Sequence, residues 1–378
     1  MPNRVFLSPP HMNGAEMRYI NDAFESNWIA PLGANVDLLE RRVCEYLKCN
    51  GATALSSGTA AIHLALRYLG VERGDVVFCS ALTFAASCMP ILYEGAEPVF
   101  IDSELDSWNM SPDALRSAMS DYAALGRLPK AVVVVDLYGI PANYDAIQAI
   151  CSEFGVPILE DAAEALGSSY RGRMCGTLGA LGVLSFNANK IITTSGGGMI
   201  VTDDTAAAEK TKFWATQSRE PVAYYLHREV GYNYRLSNIS AGIGCGQMET
   251  IAGFVNRRRE VNAFYREAFR SLPVTFPTAP EGSVPNCWLS VLTIDCAVSP
   301  TDVIDALERC NIEARRCWNP MNRQPKFDGC KFYAVQTDGY SSVGETLFEK
   351  GICLPSGTAM SDAELDRIAD CVRATIGD

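Results

Sequence analysis

Ser185-Phe186-Asn187-Ala188-Asn189-Lys190-Ile191-Ile192-Thr193-Thr194-Ser195-Gly196-Gly197-Gly198-Met199-Ile200 holds one lysine in a run otherwise free of charge, with small polar residues before it and three consecutive glycines after it. An amine kept away from water loses part of its preference for the charged form and becomes available as a nucleophile or Schiff-base partner. Glycines let a backbone turn sharply or approach something bulky. Taken alone, the run reads more readily as a surface lysine beside a glycine turn. Its surroundings have to decide.

Working outward, residues 182–186 and 198–201 read as strands on either side of the run. Upstream, short apolar runs at 53–56, 75–79, 98–102, 131–136 and 156–161 alternate with helical stretches at 59–69, 84–93 and 144–154, and with a helix capped by Ser111-Pro112-Asp113. Continuous apolar strands alternating with helices predict a mostly parallel sheet covered on both faces. Before it come an extended arm that includes Ser8-Pro9-Pro10-His11, helices at 14–26 and 36–47, and a loop with Trp28 between them. After it, residues 205–260 read as mainly helical around a polar, aromatic loop at 217–238. A linker with Pro273, Pro277, Pro280 and Pro285 then leads to a smaller α+β unit, with strands at 288–295 and 312–315 and helices at 300–309 and 361–376. The expected division is a large domain with its arm over 1–250 and a small domain over 251–378.

Composition narrows the function classes. A chain of 378 residues, 48% hydrophobic, can bury a large core. Net charge is −12 and no basic run is dense enough for a phosphate-backbone groove, which argues against nucleic acid as a partner. No apolar run reaches membrane-spanning length, and the first residues lack a signal core, so no membrane partner is expected. The fourteen cysteines include no C-x-x-C pair and lie mostly in apolar runs, as unpaired thiols of a reducing, cytoplasmic protein do. His11, His63 and His227 are not at ligand spacing from a cysteine pair, so no metal is expected.

In such a sheet, ligands bind beyond the carboxyl ends of the strands. Ser56-Ser57-Gly58-Thr59-Ala60-Ala61 lies at a strand-to-helix junction, where the first amides of a helix make a phosphate site; an ordinary N-cap is the competing reading. Glu160-Asp161-Ala162-Ala163-Glu164 ends another strand. A carboxylate at the edge of a buried sheet needs a partner, and a protonated pyridine nitrogen is one; a capping Asp is the other reading. Phe84 follows a third strand and can stack on a flat ring, although alone it also reads as core. Phosphate loop, aromatic, strand-end Asp, then Ser and Lys together supply the groups that pyridoxal phosphate requires.

Carried by these segments, and by Phe6-Leu7-Ser8-Pro9-Pro10-His11-Met12, Asp136-Leu137-Tyr138-Gly139, Gly231-Tyr232-Asn233-Tyr234-Arg235-Leu236-Ser237-Asn238 and Gly351-Ile352-Cys353-Leu354-Pro355, the chain resembles the sugar-nucleotide aminotransferases of the DegT/DnrJ/EryC1/StrS family over essentially its whole length. The resemblance implies the type I fold of pyridoxal phosphate enzymes. It implies Lys190 as the Schiff-base and proton-transfer residue, Asp161 as partner of the pyridine nitrogen, and Gly58, Thr59 and Ser185 as phosphate contacts. Phe84 would stack on the ring, and Asn238 would reach the cofactor phosphate of a neighbouring subunit in a homodimer with shared active sites.

Glu164 stands near the cofactor ring where many members have His or Gln, and so is similar to the branch acting on UDP-4-keto-6-deoxy-N-acetylglucosamine in the bacillosamine pathway. Asn27, Trp28, Tyr225, His227 and Arg316 are the implied substrate contacts. The implied reaction moves an amino group from L-glutamate, through pyridoxamine phosphate, to C4 of a nucleotide-linked keto sugar, releasing 2-oxoglutarate. GDP-perosamine synthase-like and dTDP-keto-sugar activities are alternatives, as is a catalytically silent regulator. Arg315-Arg316-Cys317-Trp318-Asn319-Pro320-Met321-Asn322 departs from the Arg-Pro-Leu-Trp and Met-His of relatives. Lys190 argues against the family's sugar dehydratases, which carry histidine there. Gly196-Gly197-Gly198 opens a strand rather than a helix, against a nicotinamide site.

Overall fold

The computed structural model describes residues 3–336 and 339–377. Among the described residues, nine strands form in the first part of the chain: β1 (Gly51–Leu55), β2 (Val76–Ser80), β3 (Glu97–Ile101), β4 (Ala131–Val135), β5 (Ile158–Asp161), the short β6 (Ser169–Tyr170) and β7 (Arg173–Met174), then β8 (Leu181–Ser185) and β9 (Gly198–Thr202). Six follow: β10 (Val274–Thr275), β11 (Ser283–Val284), β12 (Ser290–Ile294), β13 (Arg315–Arg316), β14 (Phe332–Tyr333) and β15 (Gly351–Leu354). The main sheet has eight strands in the order β1-β9-β8-β5-β4-β2-β3-β14. Its pairs are parallel except those of β9, which runs against both β1 and β8. The carboxyl ends of seven strands and the amino end of β9 therefore share one edge.

β4 shows why the sheet is buried on both sides. Successive side chains of a strand point to opposite faces. Val132 and Val134 join one core cluster, and Ala131 and Val133 join the other. The first cluster is covered by α2 (Ala34–Leu47), α5 (Pro112–Ala124) and α6 (Tyr144–Phe154), the second by α3 (Gly58–Tyr68), α4 (Met89–Tyr93) and α7 (Thr205–Ala215). α1 (Glu16–Glu25) packs beside α8 (Asn238–Met248). The caps foreseen at Ser57 and Ser111 form: each hydroxyl accepts from the third residue on, Ala60 N at 3.0 Å and Ala114 N at 3.3 Å.

A third cluster belongs to the smaller sheet, β10-β12-β15-β13, with α9 (Ile251–Ala268), α10 (Pro300–Arg309) and α12 (Asp362–Ile376). Two segments cross the expected 1–250/251–378 division. Val5 of the arm pairs with Ile312 and is buried in the small-sheet cluster, while β14 adds an edge strand to the large sheet. The helix expected at 84–93 is also modified. Phe84 stays extended (φ −74°, ψ 143°), a 3-10 turn covers Ala85–Ser87, and α4 starts only at Met89. None of the described helices is long and apolar enough to cross a membrane, and all fourteen cysteines are unpaired.

Candidate active site

Lys190 lies in the connection between β8 and β9, which folds back on its own strand end. Thr194 N and Thr193 Oγ1 both donate to Phe186 O, at 3.0 and 3.2 Å. The neighbouring carbonyl, Asn189 O, is held from two sides, by Ser8 Oγ of the arm and by Trp288 Nε1, each at 2.7 Å. The Lys190 side chain is 13% exposed. Its Nζ stands 3.4 Å from Glu164 Oε1 and 3.9 Å from the centre of the Trp288 ring.

Asp161 ends β5. Ser87 Oγ donates to its Oδ2 at 2.7 Å, Ala163 N donates to Oδ1 at 3.2 Å, and Thr83 Oγ1 meets Ser87 Oγ at 2.6 Å. Burial pushes the Asp161 carboxyl up, while its hydrogen bonds and Lys190 pull it down. Glu164 is likewise pushed up by burial and drawn down chiefly by Lys190. Two carboxyls that are costly to ionise thus flank one amine, and a further cation at Asp161 would relieve that cost. The adjacent Glu160 has a different task. On the opposite face of the strand it accepts the amides of Leu178 and Gly179 at 2.6 and 3.2 Å and fixes the loop before β8.

The helix start foreseen as a phosphate site sits beside β8. Ser57 caps α3 with its own hydroxyl, leaving the Gly58 and Thr59 amides as the ones a helix cannot satisfy internally. A Cβ on Gly58 would lie 3.3 Å from Ser185 Cβ, which places the Ser185 side chain against the helix start. A Cβ on Gly198 would lie 2.4 Å from both Gly58 N and Ser57 C. Gly198→Ala is therefore expected to push α3 out of register. The expected loss is about 1–3 kcal/mol of stability with weakened cofactor binding, checked by thermal unfolding and by cofactor titration of the apo-protein.

Aromatic rings line the other side. Phe84 is 55% exposed and meets Trp318 at 5.3 Å between ring centres. Trp318 stacks parallel on Tyr138 at 6.1 Å, and Tyr138 stacks in turn on Trp288 at 6.4 Å. Tyr138 holds a left-handed backbone (φ 54°), strained for a bulky residue. There its N donates to Glu164 Oε2 at 2.7 Å and its hydroxyl accepts from Trp318 N at 3.0 Å. A cavity of about 320 Å³ opens beside Phe84, lined by Thr83, Met89, Trp318, Asn319 and Phe327 among others.

The model of the DegT/DnrJ/EryC1/StrS aminotransferase family matches residues 10–373. The chain belongs to this family. It is 51% identical over 371 residues, 98% of this chain and 95% of the relative, to EpsN of Bacillus subtilis, which is named as a pyridoxal phosphate-dependent aminotransferase. It is 30% identical over 366 residues to the GDP-perosamine synthase of Vibrio cholerae, covering 96% and 97% of the two chains. Among solved structures, a DegT DnrJ EryC1 StrS aminotransferase from Brucella abortus superposes with a TM-score of 0.89 at 28% identity, over 96% of each chain. The PLP form of Spr1654 from Streptococcus pneumoniae, named as a sugar aminotransferase, gives 0.88 at 25% identity, over 98% of each.

As a member of the DegT/DnrJ/EryC1/StrS family the protein is a pyridoxal phosphate-dependent sugar aminotransferase with the type I fold. The residues present fit that cofactor: an amine, a buried carboxyl short of a cation, a helix start packed too tightly for a Cβ at Gly198, and an uncovered ring. Asn238, foreseen at the cofactor of a neighbouring subunit, is held within this chain by two contacts. It is buried; its Oδ1 accepts Asn35 N at 3.0 Å and its Nδ2 donates to Trp28 O at 2.6 Å, pinning the 28–35 loop within this chain. Arg316 donates to Phe348 O, Glu349 O and Glu349 Oε2 at 2.8, 3.0 and 3.1 Å, at the end of α11 (Val343–Lys350), with its side chain part-exposed.

Asn27, Trp28, Tyr225 and His227 are on the surface, Tyr225 beneath the Arg219 guanidinium and His227 against Gln217 O. The sequence marks Trp288 only as the start of the 288–295 strand. A tryptophan at the mouth of a strand, after a proline-rich linker, was the available signal.

Proposed function

We propose that this aminotransferase transfers the amino group of L-glutamate to C4 of UDP-2-acetamido-4-keto-2,6-dideoxyhexose, giving a UDP-4-amino sugar for surface glycan or glycoprotein synthesis. The observation that carries the reading is the Lys190 amine held 3.4 Å from Glu164. A glutamate at this place is the feature similar to the UDP-sugar branch.

Pyridoxal phosphate supplies the electron sink that stabilises negative charge on carbon next to nitrogen. Lys190 would anchor it through Nζ. When free, the Lys190 amine would serve as the acid/base that takes a proton from carbon and returns it in each half of the reaction. Asp161 would hold positive charge on the pyridine nitrogen. The Gly58 and Thr59 amides and the Ser185 hydroxyl would hold the phosphate, and Phe84 would lie against the ring. Glu164 keeps the amine aimed while it is free.

Homodimerisation in the cytoplasm completes the proposal, with Asn238 toward the cofactor phosphate of the partner's site and Asn27, Trp28, Tyr225, His227 and Arg316 meeting the nucleotide sugar. Exposed Trp28, Ile29, Leu32, Tyr224 and Val230 support a covered face there. The relatives named GDP-perosamine synthase favour a GDP-linked acceptor as the second reading. Release of 2-oxoglutarate from glutamate, followed with UDP-, GDP- and dTDP-linked 4-keto and 3-keto sugars, tests both. Turnover with the UDP-linked 4-keto acetamido sugar is the expected result. Turnover with 3-keto sugars alone would overturn the regiochemistry, and turnover with the GDP sugar alone would select the second reading.

A further inference from the structure

One residue against the Lys190 amine has been given no role. Trp288 is 1% exposed, and its ring face lies 3.9 Å from Nζ. Its orientation is fixed on every side. Nε1 donates to Asn189 O at 2.7 Å, its N donates to Asn286 Oδ1 at 2.8 Å, its O accepts from the buried Arg258, and Tyr138 stacks on it. Cys287, just before it, takes a left-handed turn (φ 57°) that delivers the ring. The same loop grips the other half of the ion pair. Asn286 Nδ2 donates to Glu164 O and Leu166 O, both at 2.9 Å. A side chain on Gly139 would strike Asn286 Oδ1 at 1.8 Å, so the glycine of Asp136-Leu137-Tyr138-Gly139 is what admits this loop.

We infer that Trp288 is a positioning residue that seats the ε-ammonium of Lys190 whenever the lysine is off the cofactor. The inference rests on the proposed role of Lys190. A carboxylate holds an ammonium but also competes for its proton. An indole face attracts the cation through its quadrupole and accepts no proton, and tryptophan is the strongest such face, most so when water is excluded. Between taking a proton from one carbon and giving it to the other, Lys190 must keep it and stay aimed. Glu164 on one side and Trp288 on the other achieve this without Glu164 taking the proton.

The test uses Trp288→Phe and Trp288→Leu in the full chain. In cofactor-free protein, acylation of Lys190 by acetic anhydride is followed by peptide mass spectrometry. With cofactor, the visible absorption band and the rate of the glutamate half-reaction are recorded. A weaker seat leaves more free amine, so Lys190 acylation is expected to rise about threefold in Trp288→Phe and about tenfold in Trp288→Leu. Surface lysines should label at unchanged rates, and the cofactor band should persist in both variants while the half-reaction slows in the same order. A purely structural role would not grade labelling by ring face. Equal Lys190 labelling in wild type and Trp288→Phe, with the band intact, overturns the role of Trp288 alone; Trp288→Phe decides if Trp288→Leu fails to fold. A wild-type cofactor band that survives Lys190→Ala overturns the Lys190 reading and this one with it.

Discussion

Lys190→Ala is expected to reduce transamination by at least about 10⁴-fold, because it removes the anchoring amine and the proton carrier together. The visible band of the linked cofactor should vanish with it, and an unchanged spectrum or retained 2-oxoglutarate release would refute the assignment. Lys190→Arg separates chemistry from fold. It keeps a positive charge beside Glu164, which the Lys190 amine approaches to 3.4 Å, but offers no amine able to form the linkage. Its melting temperature should stay close to that of the wild-type apo-protein while activity is as low as in Lys190→Ala. Extensive unfolding of Lys190→Arg would mean that the site tolerates only the slimmer lysine.

Asp161→Asn should separate activity from stability. The carboxylate of Asp161 is the one group at the pyridine end proposed to keep that nitrogen charged. Its neutral replacement is expected to slow the glutamate half-reaction by about 10²–10³-fold, read by stopped-flow absorbance. The apo-protein should remain as stable as wild type within about 1 kcal/mol. Burial already pushes the Asp161 carboxyl up, so an uncharged side chain costs less to bury there. Asn Oδ1 can still accept Ala163 N, and its Nδ2 can donate to Ser87 Oγ, leaving the Ser87 hydroxyl free to donate to Thr83. Full activity in Asp161→Asn would remove Asp161 from the cofactor.

Much of this arrangement was legible in local patterns. α6 occupies the 144–154 stretch foreseen as helical, and the apolar strands fall close to the positions foreseen. The strand-end positions of Asp161 and Ser185, and the helix-start position of Gly58, follow from that alternation alone. What escaped has long-range causes. β14 is two residues, Phe332 and Tyr333, that become a strand only because β3 offers an open edge. The 84–93 stretch has helical composition, yet Phe84 remains extended where Ser87, met by Thr83, reaches Asp161. Asn238 reads as a polar helix start, and only the loop at Gly33 explains why its amide is used up. Trp288 looks like any strand-edge aromatic until Cys287 and Asn286 are seen to aim it.

The reversed direction of β9 has a consequence for assembly. β8, the lysine turn and β9 form a local hairpin, which needs little loop closure and can form early. β1 pairs with the outer edge of that hairpin from the far end of the domain, bringing Leu55 opposite Gly198 and with it the start of α3. The lysine is thus placed by near neighbours in sequence, whereas the phosphate cradle exists only after a strand remote in sequence has docked. Capture of the cofactor by the refolding chain becomes a timestamp for that long-range step, so a slow phase in the cofactor signal should report insertion of β1.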